Sequence, residues 1–424
     1  MKTNRYYYIL LLALVLAWPV PVFSAAVLDF PAAATPSTIT PAPSSVTTAA
    51  SSTTAASGYW SKSYLHYESL EFHPYLSLKE TYNDNIFAVP TDTKADWITT
   101  ITPGLRLALP YRQHLFTAEY NAVINTYSRY GSEDTTDQNA KVLGDFKFGS
   151  RFGLTLSDTY NKGHEPRYQT VTGVIEKYER NASTASGTYR LADRAMIEVD
   201  YTRTKWNFVT SEFRSRNEDM VATYFYYRIM PKTSAFVEYD LTKYSYDLKT
   251  NGLDSSVNSG FMGLRWEMSA TTQGTVKAGW LQKRFEAGNK QDLQTWGASA
   301  DMKWAITDYS FLSFLAKRDV NESAALGATY YVTTGAYVDY THKLTYKIAA
   351  VGRLSYGADE YSNPLSTDTV ARTDRTFLGG AGLKYQMRDW LEFLLDYNYR
   401  NRDSNITTWN LKQNTYSLTA NFAL

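Results

Sequence analysis

Residues 391–400 read LEFLLDYNYR. Leu391, Phe393, Leu395, Tyr397 and Tyr399 fall on one parity; Glu392, Asp396, Asn398 and Arg400 fall on the other. Side chains of a β-strand alternate between the two faces of a sheet, so this is a strand with one apolar and one polar face. The pattern recurs outward from this segment. Trp296, Ala298, Ala300, Met302 and Trp304 oppose Ser299, Asp301 and Lys303. Leu344, Tyr346, Ile348 and Ala350 oppose Lys347 and Arg353. Ala195, Ile197, Val199 and Tyr201 oppose Glu198 and Asp200. Ala235, Val237, Tyr239 and Leu241 oppose Glu238 and Asp240. Near the beginning, Ile101, Leu105 and Leu107 oppose Thr102 and Arg106.

The connections alternate in length. Tight turns are expected near Pro110–Gln113, Gly149–Arg151, Ala192–Asp193, Pro231–Lys232, Ala270–Thr272, Thr307–Asp308, Thr341–Lys343 and Arg388–Asp389. Longer polar links lie between them, at 83–96, 161–177, 206–217, 249–258 and 359–374. Eight tight turns join sixteen strands, and one further strand at each end makes about eighteen, within a range of 16–20. The reading is all-β: a transmembrane antiparallel barrel with short periplasmic turns and long extracellular loops. Closure follows from the solvent. In hydrocarbon each backbone N–H and C=O needs an internal partner, and a closed sheet provides it without an edge. A soluble sandwich rarely sustains so long a single sheet, and no blade-type repeat marks a propeller.

Composition agrees. The 424 residues include 35 Tyr, 19 Phe and 10 Trp, whereas disordered chains are poor in aromatics. Lys and Arg number 43 against 42 Asp and Glu, which gives no basic bias toward nucleic acid. Cysteine is absent, which removes disulfides, thiolate metal sites, Cys nucleophiles and c-type haem attachment. At the N-terminus, Lys2 and Arg5 precede the apolar run Tyr6 to Trp18, then Pro19, Pro21 and the small residues Ser24, Ala25 and Ala26. This is the order of a cleaved export signal, assigned to residues 1–25. Residues 26–62 are expected to form an Ala/Ser/Thr/Pro-rich flexible periplasmic linker, and residues 63–424 the barrel.

In such a barrel the polar phase lines an aqueous lumen. The basic candidates are Arg106, Lys141, Lys147, Arg265, Lys277, Lys303, Lys347, Arg353, Lys384 and Arg400. The acidic candidates are Glu119, Asp145, Glu198, Asp200, Glu238, Asp240, Asp301, Asp339, Glu392 and Asp396. Equal numbers of each sign imply weak net selectivity or a local transverse field, and cross-strand pairing is the competing explanation. Facing is ambiguous for Met220–Tyr227 and Tyr309–Ala316. Aromatics near strand ends, Tyr226, Tyr227, Tyr244, Tyr246, Tyr330, Tyr331, Trp390, Tyr397 and Tyr399, suit interfacial girdles. A sugar-stacking track inside the lumen is the rival for those in the polar phase, such as Tyr331 and Tyr337. The last strand ends NTYSLTANFAL, with Tyr416, Leu418, Ala420, Phe422 and Leu424 on one face. It resembles the C-terminal signal read by the barrel-assembly machinery, with Leu424 in place of the usual terminal Phe.

Chemistry is sparsely encoded. His66, His73, His114, His164 and His342 show no metal-ligand spacing, and neither a nucleophile elbow nor a phosphate loop appears. His164 beside Glu165 reads as a solvated loop. No enzymatic activity, metal or cofactor is expected.

Pro74 to Phe87 reads PYLSLKETYNDNIF. Leu76, Glu80, Tyr82, Asn83, Asp84, Asn85, Ile86 and Phe87 resemble the opening strand of the outer-membrane β-barrel porin family linked to exopolysaccharide export. The resemblance implies a conduit for exopolysaccharide in the outer membrane of a Gram-negative bacterium, with periplasmic polysaccharide-export proteins as partners. The expected surroundings are outer-membrane lipid and lipopolysaccharide. The alternatives are a general diffusion porin for small hydrophilic solutes, or a structural sheath around a periplasmic or electron-transfer partner.

Overall fold

The computed structural model describes residues 65–67, 69–167, 175–324, 328–364 and 370–423. The export signal, the linker and Leu424 lie outside them. A short strand β1 (Leu65–Tyr67) folds back on the start of β2 (Leu70–Asn83). The wall continues through β3 (Asp96–Tyr111), β4 (His114–Tyr127), β5 (Thr135–Phe148), β6 (Phe152–Glu165), β7 (Glu176–Arg190), β8 (Ala195–Phe208), β9 (Arg216–Met230) and β10 (Thr233–Tyr246). It is completed by β11 (Ser255–Ser269), β12 (Thr272–Phe285), β13 (Leu293–Ala305), β14 (Ser310–Glu322), β15 (Tyr330–Lys343), β16 (Ile348–Pro364), β17 (Ala371–Arg388), β18 (Leu391–Ser404) and β19 (Leu411–Ala423). Each strand from β2 onward pairs antiparallel with the next, and β19 pairs with β2, Thr415 opposite Asn83 through Ala423 opposite Tyr75. Eighteen strands therefore form one closed wall.

The odd-numbered strands from β3 to β17 end in short links of two to four residues, and the other end of the barrel carries links of six to twelve. Arg112 holds a positive φ of 56° in one two-residue turn, and Gly149 holds 61° in the next short link, where a glycine adopts that backbone without strain. One turn is displaced from its expected place. The link after β15 is 344–347, not 341–343, so Leu344 and Tyr346 are exposed turn residues, and Lys347 lies in that turn, not in a strand facing the bore. The register settles the reason: Thr341, His342 and Lys343 are still paired with Val351, Ala350 and Ala349. Strands also extend into stretches expected to be loops; 161–165 and 359–364 are wall.

Facing follows from burial. Along β8, positions 198, 200, 202, 204, 206 and 208 are buried and positions 199, 201, 203, 205 and 207 exposed. The buried parity is concave, because its side chains reach strands that are not neighbours, which only the inside of a curved wall permits. Lys277 of β12 bonds Glu238 of β10, and Arg353 of β16 bonds Asp396 of β18. The exposed parity forms the apolar outer wall, with Trp97, Trp280 and Trp296 toward the long-loop end and Trp304 and Trp390 toward the short-turn end. Indole rings at two heights match the interfacial girdles of a membrane barrel. No described helix is long and apolar enough to cross a membrane.

The opening motif has a structural explanation. Asn83, Asp84 and Asn85 fasten the first wall strand to the last. Asp84 accepts from the backbone N–H and the side-chain amide of Asn414, both at 2.7 Å. Gln413 donates to Asn83 Oδ1 at 3.1 Å and to the Asn85 carbonyl at 2.9 Å. Asn85, fully buried, donates to the carbonyls of Val89 and Lys412 at 2.7 and 3.0 Å. The motif is a clasp across the closure seam, where the joined strands are the most distant in sequence.

Candidate functional site

Nineteen of the twenty charged candidates sit in wall strands on the concave parity; Lys347 is the exception described above. They form three groups. In the first, Arg106, Glu119 and Lys141 lie directly opposite one another across β3, β4 and β5, a row of alternating charge. Tyr75 donates to Glu119 at 3.0 Å, and Asp145 pairs with Lys147 at 3.5 Å. The second group is acidic. Glu198, Tyr224 and Glu238 form one cross-strand row and Asp200, Ala222 and Asp240 the next. Small Ala222, completely buried, lies between the two aspartates and packs with Tyr224 and Phe236. Lys277 bonds Glu238, and Arg265 lies 5.9 Å above the Tyr226 ring. In the third group, Arg353 bonds Asp396 at 2.5 Å and Asp339 at 3.4 Å. Arg400 reaches Gln413 at 3.5 Å. Asp301, Lys303, Lys384 and Glu392 share the inward parity in the short-turn half of the wall.

Between the charged groups runs a neutral belt. Asn139 donates to Asn121 at 2.7 Å, Asn161 to Asn139 at 3.4 Å, and Arg180 to Asn161 at 3.3 Å. Thr100 donates to Asn125 at 2.8 Å and Asn125 to Thr135 at 3.0 Å. Thr184 and Thr202 meet at 3.0 Å. Amides and hydroxyls both donate and accept, so these side chains present both hydrogen-bonding senses without charge of their own, up to the Arg180 guanidinium.

The lumen also carries an aromatic layer that alternation alone does not reveal. Tyr226, Tyr244 and Tyr246 face inward, as do Trp206, Phe208, Tyr224 and Phe236, each 3–5% exposed. The girdle assignment is thus corrected for Tyr226, Tyr244, Tyr246, Tyr330 and Tyr331, whereas Tyr227, Tyr397, Tyr399 and Trp390 are on or beside the outer wall. The ambiguous stretch 220–227 resolves with Ala222, Tyr224 and Tyr226 inward, and Ser313 and Leu315 take the inward parity of β14. The polar face does not exclude packing: aromatic residues share it. These rings are covered by cations, Arg214 at 4.0 Å from Phe208, Arg180 at 5.2 Å from Trp206 and Lys283 at 4.4 Å from Tyr244. Their faces are therefore occupied, which does not suit an open stacking track. Arg214 in turn holds Glu165 through two bonds of 2.8 and 2.7 Å, a fork matched to a carboxylate.

The bore is narrowed at its long-loop end by β14 and β15. Pairing of β13 with β14 stops at Ala298 opposite Arg318, although β13 continues up to Leu293 and β14 to Glu322. Above that point β14 parts from β13, while β15 stays paired with β16 up to Tyr331 opposite Tyr361, and the upper ends of β14 and β15 pack on the inside of β10–β13. Glu322 bonds Lys283 of β12 and accepts from the hydroxyl of Tyr246 of β10 at 2.5 Å. β10 and β14 are four strand spacings apart, about 19 Å along the wall, so this contact requires the end of β14 to lie inside. Val320, Tyr330 and Val332 pack with Leu281, Val257, Phe285 and Leu293. On the hairpin's other face Tyr331 stacks on Tyr361 at 4.9 Å, and Thr333 donates to Asp359 at 2.6 Å. Lys283, Glu322, Arg216, Glu218, Arg372 and Asp374 were outside the expected lining. Their signal was the spacing of opposite charges two apart at strand starts, Arg216/Glu218 and Arg372/Asp374, both of which are ion pairs.

The histidines are placed singly. His164 belongs to β6, not to a loop, and meets Asp137 at 2.8 Å. His342 meets Ser310 at 2.9 Å. Among the described residues no group of three or more His, Asp or Glu is arranged to hold a metal.

A search of curated protein sequences finds no match. Among solved structures, the fold is similar to Pseudomonas aeruginosa OpdK with vanillate, at 9% identity and a TM-score of 0.46 over 83% of this chain and 98% of that one. It is similar to OccK5 (OpdH) of the same organism, at 11% identity and a TM-score of 0.46 over 86% and 100%. The FrpB iron transporter of Neisseria meningitidis is also similar, at 8% identity and a TM-score of 0.45 over 80% and 63%. The family described as "Putative beta-barrel porin 2" matches residues 69–423, the whole closed wall. With its outer aromatic girdles and its lined bore, this chain belongs to that family of outer-membrane β-barrel porins.

Proposed function

We propose that the protein is a conduit for a hydrophilic polysaccharide, an exopolysaccharide, across the outer membrane. The neutral amide and hydroxyl belt carries this reading. Asn121, Asn139 and Asn161, then Thr100, Asn125 and Thr135, then Thr184 and Thr202 line one side of the bore in three hydrogen-bonded strings. A sugar chain offers hydroxyls that donate and accept, so it can exchange bonds with such a belt step by step. Many weak sites in series favour passage over retention. Part of the charged lining is engaged internally, Lys277 with Glu238 and Arg353 with Asp339 and Asp396, which lowers the hold of those groups on ions. The resemblance of Leu76–Phe87 to the opening of export-linked porins supports the same assignment. In the cell, the outward Tyr416, Leu418 and Phe422 would present the last strand to the assembly machinery, and periplasmic export proteins would deliver the polymer.

The test is conductance in planar bilayers with and without added neutral polysaccharide. Transient current blocks whose frequency rises with polymer concentration are expected. Steady ion current without blocks would favour a general diffusion porin. No current from correctly folded, heat-modifiable protein would favour a structural sheath.

A further inference from the structure

The β14–β15 hairpin has a second place available to it. Extending the register from Ala298 opposite Arg318 would set Gly297 opposite Asp319, Trp296 opposite Val320, Thr295 opposite Asn321 and Gln294 opposite Glu322. Parity is preserved. Asp319 and Asn321 would face the bore beside Gly297 and Thr295, and Val320 would face outward beside Trp296, which is 54% exposed on the outer wall. On β15, Tyr330 and Val332 share the parity of Val320 and would also turn outward. Apart from Glu322, which shares the outward parity beside Gln294 at the strand's end, the alternation of these strands is that of an ordinary membrane wall, yet their upper ends lie inside.

β15 stays paired with β16 up to Tyr331 opposite Tyr361, and toward β10–β13 the inner position is held by a small set of contacts. These are the ion pair of Lys283 with Glu322, the Tyr246 hydroxyl on Glu322, and the apolar packing of Val320, Tyr330 and Val332 on Leu281 and Phe285. Lys283 is fully buried there and also lies over the Tyr244 and Phe285 rings, at 4.4 and 5.2 Å. The backbone edge of β13 from Leu293 to Gly297 has no partner strand on its β14 side. Such an edge favours pairing, and in a membrane barrel an unpaired edge is costly where lipid reaches it.

We propose that the upper β14–β15 hairpin is a movable constriction with two pairing states: tucked inside and latched by Glu322 on Lys283 and Tyr246, or zipped onto β13 in continued register with the bore widened. Two discrete packings of one element are what a channel gate requires, and a polymer passing outward would push the upper ends of β14 and β15 toward the wall position. This rests on the channel reading above.

Because the chain contains no cysteine, an engineered pair reports by itself. The W296C/V320C variant joins side chains that are direct neighbours only in the zipped state. In the E322Q/K283M background this pair should oxidise readily, and single-channel conductance should rise about twofold or more as the bore widens. Reduction with dithiothreitol should release the trapped state. In the otherwise native background the pair should oxidise slowly, and a Y246C/E322C pair bridged by a short bis-maleimide should hold conductance low. Heat-modifiability on gels establishes that each variant is folded. Folded E322Q/K283M with native conductance, or a 296–320 disulfide that leaves conductance unchanged, would overturn the constriction. Equal oxidation of the 296–320 pair in both backgrounds would overturn the latch. State-dependent oxidation with no current from any variant would instead overturn the channel reading while upholding the two pairing states.

Discussion

Removing the clasp at Asn85 should destabilise the barrel more than its place in a link between two strands suggests. Asn85 makes three side-chain hydrogen bonds: it donates to the Val89 and Lys412 carbonyls, and its Oδ1 accepts from the Val89 N–H at 3.2 Å. It is fully buried, so water does not replace these partners. At about 1 kcal/mol net per bond, with an added penalty for groups left unpaired, Asn85→Ala should cost about 3 kcal/mol. Asn85→Asp keeps the acceptor for Val89 but replaces both donations with a carboxylate oxygen facing two carbonyls. It should cost as much as the alanine or more, about 3–5 kcal/mol. Asp84→Asn is milder. Its carbonyl still accepts from the Asn414 backbone, and the second bond is lost because Asn414 Oδ1 is already engaged by Tyr397. About 1 kcal/mol is expected. The assay is equilibrium unfolding in urea from lipid vesicles, followed by tryptophan fluorescence and gel mobility. The order Asn85→Asp, Asn85→Ala, Asp84→Asn, wild type should run from least to most stable. An Asn85→Ala barrel within about 0.5 kcal/mol of wild type, or Asn85→Asp more stable than Asn85→Ala, would refute the assignment of the motif as the seam fastening.

Other consequences are open to simpler measurements. A Cβ at Gly104 would lie 2.1 Å from the Tyr75 ring, so Gly104→Ala must displace Tyr75 from Glu119 and Asn121. A loss of about 2 kcal/mol in the same urea assay is expected, against about 1 kcal/mol for Tyr75→Phe. Glu165→Gln leaves the Arg214 guanidinium buried without its counter-charge and should cost about 3 kcal/mol, whereas the paired replacement Glu165→Met with Arg214→Met should come within about 1–2 kcal/mol of wild type; equal losses would contradict the pairing argument. Lys277→Met removes the cation bonded to Glu238 from the group of Glu198, Asp200, Glu238 and Asp240. Its reversal potential in a salt gradient should shift toward cation preference, and Glu238→Gln should shift it the other way. Phe422 stacks on Trp390 on the outer wall at 6.3 Å. Phe422→Ala should lower the yield of heat-modifiable barrel in membranes severalfold, and an unchanged yield would count against the last strand as an assembly signal.

The alternation in 391–400, 195–201 and 235–241 was enough to establish strands, their two faces and a wall of eighteen, because strand periodicity is local. Each residue's parity follows from its neighbours, and short turns betray themselves by composition. The same locality sets the inward parity of Glu198, Glu238, Arg353 and Asp396. It was insufficient where a residue type suits either face. Tyrosine is at home in a membrane girdle and in a packed interior, so Tyr226, Tyr244 and Tyr246 could be assigned only by the register and the cations that cover them. Turn placement at 344–347 failed for a related reason: Leu344 and Tyr346 continue the apolar alternation past the end of the pairing. What the tertiary structure alone decided is which inward groups meet. Curvature brings Glu322 to Tyr246 and Lys283, and closure brings Asp84 to Asn414, across separations that no local pattern encodes. The tuck of the β14–β15 hairpin belongs to this class as well, since its residues alternate as a wall strand would, and only competing long-range contacts draw it into the bore.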